Sequence, residues 1–405
     1  VWLVCGVLLL AGCSAPAPAP PRPGPGPADP RSGTPASALR LENIPGAPLA
    51  APLFTLRGDY LQLLFHLNFY NQTDRPLRIK RLELTSLRGD APLMRQVMTE
   101  LLLASRLRPV PWIVMRDRQT IAAAHRWSGA LNRIKGDTTI PAGSGISLSH
   151  QFLLIRAAGM PDRIVCRVTH DRGITEHSFS VRLYKQRTRL RLPVRGRWWV
   201  MAGHRFDEYH GQALMNSQNF AYDLGRLGPQ STTYRGDRKA NESYYCHDQP
   251  VVAAADGVVV EVHDGVPENQ PVGALPAFDT ILQQPRVLAG NFVVLRHQGS
   301  EHTVYMHLRP GPGVQVGQRV RAGQELGRCG NSGNSSEPHL HFQLQDGPDP
   351  FKDNGLPALF SDFTLHMGRL ILHVPATKSS PLPTWLTVEP GKAKGAVGIG
   401  RWVRQ

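Results

Sequence analysis

Gly330-Asn-Ser-Gly-Asn-Ser-Ser-Glu-Pro-His-Leu-His-Phe342 closes on His339-Leu340-His341, and these three residues decide how the chain is read. In a strand, successive side chains alternate between faces, so His339 and His341 point one way and Leu340 the other. Two residues of rise separate the two imidazoles by roughly 7 Å. One can then hold a metal while the other addresses its bound water. His-x-His by itself is a weak signal whose default reading is two exposed histidines on a polar face, so the metal reading depends on what else reaches the same space.

Working outward, Thr303-Val-Tyr-Met-His-Leu308 reads as a strand in which Thr303, Tyr305 and His307 share one face, making His307 a third candidate. Phe220-Ala-Tyr-Asp-Leu224 sets Asp223 among apolar residues. A carboxylate buried there needs a cation or hydrogen-bond donors, and either zinc or a neighbouring arginine satisfies it. The surrounding sequence is a series of short valine-rich strands, at 258–262, 291–295 and 303–308, with glycine turns at 313–317 and 320–324. No long helix is expected before residue 350, and no nucleotide-binding βαβ unit. Residues 265–288 read as a long loop between two strands, of the kind that walls a cleft.

Together these segments resemble the lysostaphin/LytM-type zinc metallopeptidases of the bacterial cell wall, over about residues 200 to 350. The resemblance rests on Pro250-Val-Val-Ala-Ala-Ala-Asp-Gly-Val-Val-Val260, on Tyr305-Met-His-Leu308, on Val316-Gly-Gln-Arg-Val-Arg-Ala-Gly-Gln-Glu-Leu-Gly327 and on the 330–342 stretch. It implies an antiparallel β peptidase domain, a Zn2+ cofactor with Asp223 and His341 as ligands, and His307 and His339 as catalytic histidines. The family usually carries His-x-x-x-Asp, but position 219 is Asn, so the remaining ligand lies farther upstream. His210 resembles the variant with a longer excursion, and His204 is its rival. Two histidines and a carboxylate leave a fourth zinc position open, as in catalytic rather than structural sites. The implied partners are peptidoglycan peptide stems, cut between D-Ala and diaminopimelate in a Gram-negative envelope. Family members that have lost zinc ligands act instead as regulators that bind the wall or activate amidases. Asp223, His307, His339 and His341 are all present here.

With 405 residues the chain is long enough for two domains. The run 1–10 is too short to span a bilayer and suits the apolar region of a secretion signal. It lacks an initiator Met and a basic leader, so a few residues are expected before it. Leu10-Ala-Gly-Cys13 resembles a lipobox, which implies a membrane partner through a lipid anchor at Cys13 in a periplasmic lipoprotein; Ser14 then favours the outer membrane. The segments expected are 1–13 signal and lipobox, 14–40 proline-rich linker, 41–195 an immunoglobulin-like β-sandwich, 196–350 the peptidase domain and 351–405 a C-terminal extension. The fold class is all-β.

Within the first domain, residues 169–173 predict a hairpin, and Leu93, Met94, Val97, Met98, Leu101 and Leu102 recur at helical spacing, predicting a helix that interrupts the sheet. Net charge is +15, from 46 Lys and Arg against 31 Asp and Glu. The excess is scattered arginine with no nucleic-acid stripe, which suits lipid headgroups or wall carboxylates in a salt-sensitive way. Residues 391–400 lack the Gly-Lys-Ser/Thr ending of a phosphate loop. Cys166, Cys246 and Cys329 remain beyond the signal; Cys246 and Cys329 fall in one domain and are candidates for a disulfide. No Cys-x-x-Cys spacing supports a thiolate zinc site.

Overall fold

The computed structural model describes residues 38–44, 51–52, 60–109, 138–156, 161–181, 184–203, 216–218, 220–351, 353–367, 370–374, 376–380, 382, 386–391 and 397–398. The apolar leader, Cys13 and the proline-rich segment lie outside them. The chain is mostly β; helix among the described residues is confined to Glu100–Arg106, Phe278–Gln283 and short 3-10 turns. No helix among them is long and apolar enough to cross a membrane.

Two five-stranded sheets form the N-terminal part. One sets Leu39–Ile44, Tyr60–Asn71, Gly145–Arg156 and Leu107–Pro109 side by side, with Ala51–Pro52 against the second of these. The other runs Gly173–Ser180, Arg163–His170, Leu77–Arg88 and Ala91–Thr99, with Thr139–Ile140 also paired to Leu77–Arg88. Leu67, Phe69 and Leu148 from the first sheet and Ile79, Leu82, Leu84, Ile164 and Val168 from the second are buried in one cluster. The inward positions of Leu77–Arg88 change from odd to even because the pairing shifts register between Ile79 and Arg81, as a bulge does. The hairpin expected at 169–173 forms between Arg163–His170 and Gly173–Ser180.

The helix expected across 93–102 is corrected. Ala91–Thr99 is a strand paired with Leu77–Arg88, and the helix begins only at Glu100. Pairing with a strand already inside the sheet decides the outcome. Met98 lies opposite Leu82 and is buried with it, while Leu93 and Val97 face outward, 40% and 37% exposed. Apolar residues on both faces of this strand imitate a helical stripe.

A twelve-stranded sheet carries the rest. Its order is Arg319–Val320, Gly257–His263, Asn291–Arg296, His302–Leu308, Leu340–Gln345, Tyr222–Gly225, Trp198–Ala202, Thr387–Pro390, Phe363–Met367, Leu370–Val374 and Val397–Gly398, with Gly355–Leu356 against Leu340–Gln345. Pro250–Val252 and Glu325–Arg328 pair separately. On one face Tyr222, Leu224, Tyr305, Leu340, Phe342 and Leu344 enter a large core that also takes Leu190, Leu192 and Val194 from the arginine-rich stretch and Phe363 and Val388 from beyond residue 350. Along Leu340–Gln345 the alternate residues His341, Gln343 and Gln345 turn to the opposite face. A slip of one residue would drive His341 into the core and expose Leu340, so burial fixes the register.

Cys246 and Cys329 are buried free thiols, and Cys246 Sγ donates to Pro338 O at 2.9 Å.

Candidate metal centre

Three neighbouring strands build the site. Tyr222–Gly225 and Leu340–Gln345 pair antiparallel with Asp223 opposite His341, and Asp223 Oδ1 lies 3.1 Å from His341 Nδ1 and 3.3 Å from His339 Nε2. His302–Leu308 flanks Leu340–Gln345 on its other side. His307 completes the group, its ring centroid 4.9 Å from that of His339 and 5.8 Å from that of His341. All three imidazoles are buried.

His307 arrives by a route that strand alternation does not give. Thr303 and Tyr305, expected on its face, point the other way: the Tyr305 hydroxyl accepts from Ala254 N–H, and Thr303 Oγ1 lies beside the same hydroxyl. Between the pairs Val293 with Tyr305 and Asn291 with Leu308, one residue, Phe292, opposes two, Met306 and His307. This bulge brings His307 round to the face of His341, and His307 adopts φ of 62°, a left-handed conformation uncommon outside glycine. Strain held at such a position is characteristic of functional sites.

Backbone carbonyls set the histidine protons. A carbonyl only accepts, so His307 Nδ1–H donates to Ser332 O at 2.8 Å and His339 Nδ1–H donates to Glu337 O at 2.8 Å. Both rings therefore turn Nε2 toward the shared space. The Ser332 carbonyl is held from behind, because Ser332 Oγ donates to Leu308 O and accepts Asn291 N–H. Gly290 and Gly333 pack backbone to backbone there, both at positive φ; a Cβ on Gly333 would come within 2.4 Å of Gly290 N. The 265–288 segment reaches the same turn, with Asn269 Nδ2 donating to Gly333 O and Ser335 O.

Electrostatics divide the two histidines. Burial, then the neighbouring His339 and His341, holds His307 well below the usual imidazole value. Burial opposes the charge on His339 as well, but the Asp223 carboxylate more than reverses this and pushes it up to about 9. A cation on Asp223 would cancel that attraction and leave His339 to its burial.

The donor set fits a metal. His341 Nε2 lies 2.9 Å from Gln343 Oε1, an acceptor, so the ring proton belongs on Nε2 and the Nδ1 lone pair faces the Asp223 carboxylate. A lone pair facing a carboxylate at 3.1 Å is stable with either a proton or a metal cation between the two atoms, and a metal can take that place. Two donors on one tetrahedral zinc at ~2.0–2.1 Å stand about 3.3 Å apart, close to what is found. His210 and His204 lie outside the described residues. Among the predicted site residues within them, the fold brings Asp223, His307, His339 and His341 together. Gln343 and the carbonyls of Ser332 and Glu337 were not anticipated; Gln343 was accessible from the same alternation that pairs His339 with His341.

Residues 244–352 match the family model described as Peptidase family M23. These residues thus correspond to an M23 peptidase domain, in line with the resemblance that the motifs of this region carry. The chain is similar to the peptidoglycan DD-endopeptidase ShyA of Vibrio cholerae serotype O1, 34% identical over 90 residues, which are 21% of this chain and 20% of that protein. It is also similar to the glycyl-glycine endopeptidase ALE-1 of Staphylococcus capitis, 46% identical over 50 residues, 12% of this chain and 14% of that one. The matched stretch spans only 16% to 23% of the first three curated relatives. Among solved structures, a zinc containing peptidase from Vibrio cholerae aligns over 74% of this chain and 81% of its own at 15% identity, with a TM-score of 0.26.

Proposed function

We propose that this protein is a secreted, zinc-dependent endopeptidase that hydrolyses peptide cross-links in bacterial peptidoglycan. The observation that carries the reading is the convergence of Asp223, His307, His339 and His341 on one face of the sheet, each imidazole aimed by its own acceptor.

Asp223 and His341 would hold the zinc, with His210 as the remaining ligand and His204 its rival. Held by these residues, a zinc ion would supply an activated water and polarisation of a scissile carbonyl. His307 and His339 are left free of the metal. With Nδ1 committed to a carbonyl, each offers Nε2 to the substrate, where one takes a proton from the attacking water and the other donates to the developing oxyanion or the leaving amine.

The substrate class is supported by the names of the relatives matched over this region, several of them peptidoglycan endopeptidases. In a Gram-negative envelope the bond would join D-Ala to diaminopimelate. The lipobox-like Cys13 favours a periplasmic lipoprotein, and the N-terminal pair of sheets is read as an immunoglobulin-like accessory sandwich.

Incubation with purified sacculi, followed by chromatography of the muropeptides, tests the reading. Cross-linked dimers should disappear in favour of monomers, and a zinc chelator should stop this. A folded protein that leaves cross-links intact but stimulates an amidase would replace the enzyme with a regulator.

A further inference from the structure

The buried face beside His341 carries two amide side chains that no catalytic step uses. His341 Nε2, Gln343 Oε1 and Nε2, Gln345 Oε1 and Nε2, and Gly347 O form an unbroken series, with contacts of 2.9, 2.5 and 2.7 Å. Gln343 and Gln345 have no exposure. They occupy alternate positions of Leu340–Gln345 on the His341 side, with the turn that supplies Gly347 at the far end.

We propose that Gln343 and Gln345, anchored on the Gly347 carbonyl, are positioning residues that fix the tautomer of His341. This rests on the reading of His341 as a metal ligand.

The direction of the series follows from its last member. Gly347 O has no proton to give, so Gln345 must present its NH2 there and its oxygen to Gln343. Gln343 then donates with its own NH2, leaving its oxygen toward His341. Only an Nε2–H tautomer satisfies that oxygen. Turning either amide over sets acceptor against acceptor or donor against donor at a buried contact, an arrangement with a full desolvation penalty.

The anchor is itself confined. A Cβ on Gly347 would meet the Asp353 carboxylate at 2.3 Å, and Asp346 takes Asn354 N–H and Asn354 Nδ2–H on its two carboxylate oxygens. What the relay prevents is the competing state. With its proton on Nδ1, His341 would donate to Asp223, and the two ligands would satisfy one another rather than a metal. With the proton held on Nε2, both present lone pairs to the same point, so the ligand geometry exists before the ion arrives.

Two measurements on the full chain test this. In metal-free, 15N-histidine-labelled protein at alkaline pH, two-bond proton–nitrogen correlations should show His341 protonated at Nε2 and bare at Nδ1. The resonances are assigned by their loss in His341→Ala. In Gln343→Leu, and in Gln345→Leu where nothing touching His341 has changed, the Nδ1–H form should appear, and the zinc dissociation constant from chelator competition should rise ~10- to 100-fold. Gln343→Glu can only accept from His341 and should keep the wild-type tautomer, even though its carboxylate no longer donates to Gln345 Oε1.

A wild-type His341 protonated at Nδ1 would overturn the proposal, as would a Gln343→Leu protein with unchanged tautomer and affinity. Wild-type protein with the Nε2–H tautomer but no zinc binding would instead leave the relay standing and remove the metal reading.

Discussion

Asp223 and His341 face each other across an antiparallel pair and meet at 3.1 Å on the side of the sheet turned away from the main core. Their neighbours in the same pairing, Tyr222 with Phe342 and Leu224 with Leu340, are all buried on the opposite face. The apolar pairs therefore determine where the polar pair stands. Large apolar side chains of this kind contribute about 1.5–3 kcal/mol each when fully buried, enough to hold a buried carboxylate beside three imidazoles.

His307 and His339 should be separable from the ligands by substitution. His339→Ala and His307→Asn should retain the metal and lose at least ~100-fold in cross-link cleavage, the range of a general acid or base. Asparagine is the better probe at 307 because it tolerates the left-handed backbone that alanine resists. Metal analysis beside a muropeptide assay reads both quantities. Loss of metal in either variant would make that histidine a ligand.

The turn behind His307 should be intolerant of a single methyl group. Gly333→Ala meets Gly290 N at 2.4 Å and must also hold φ of 79°. It should destabilise the fold by more than ~1 kcal/mol in denaturant unfolding and lower activity further by displacing the Ser332 carbonyl. Gly313→Ala, where an added Cβ meets nothing within 4 Å, serves as the control. Equal effects at the two positions would contradict the packing argument.

Glu268 gives a pH-dependent test away from the ligands. It accepts from His247 Nε2 and Asn331 N–H and lies beside Arg309. Burial raises its carboxyl, but these contacts outweigh burial and hold it below the usual value. Its contribution is thus fully present above the unfolded pKa, about 4.3, and is lost as pH falls through the lower folded one. Glu268→Gln should cost about 1–3 kcal/mol near neutrality, with the difference from wild type closing in acid. A gap independent of pH would show that charge is not the cause.

Much of this site was legible from alternation. His339 and His341 flank Leu340, and Asp223 stands between two core residues, so each strand declares which face is polar. His307 was legible as a residue but not in its placement: plain alternation groups it with Thr303 and Tyr305, and the bulge that separates them exists only in the pairing with Phe292. The strand at Ala91–Thr99 misleads for a related reason. Leu93 and Val97 are apolar yet face outward, and only the partner strand shows that the spacing is not helical.

The most direct measurement of the central claim is zinc content by elemental analysis of the purified full chain and of Asp223→Ala and His341→Ala. One zinc per chain in the wild type, and none in either folded variant, is the expected result. Folded wild-type protein without zinc, or zinc retained after loss of His341, would contradict the account.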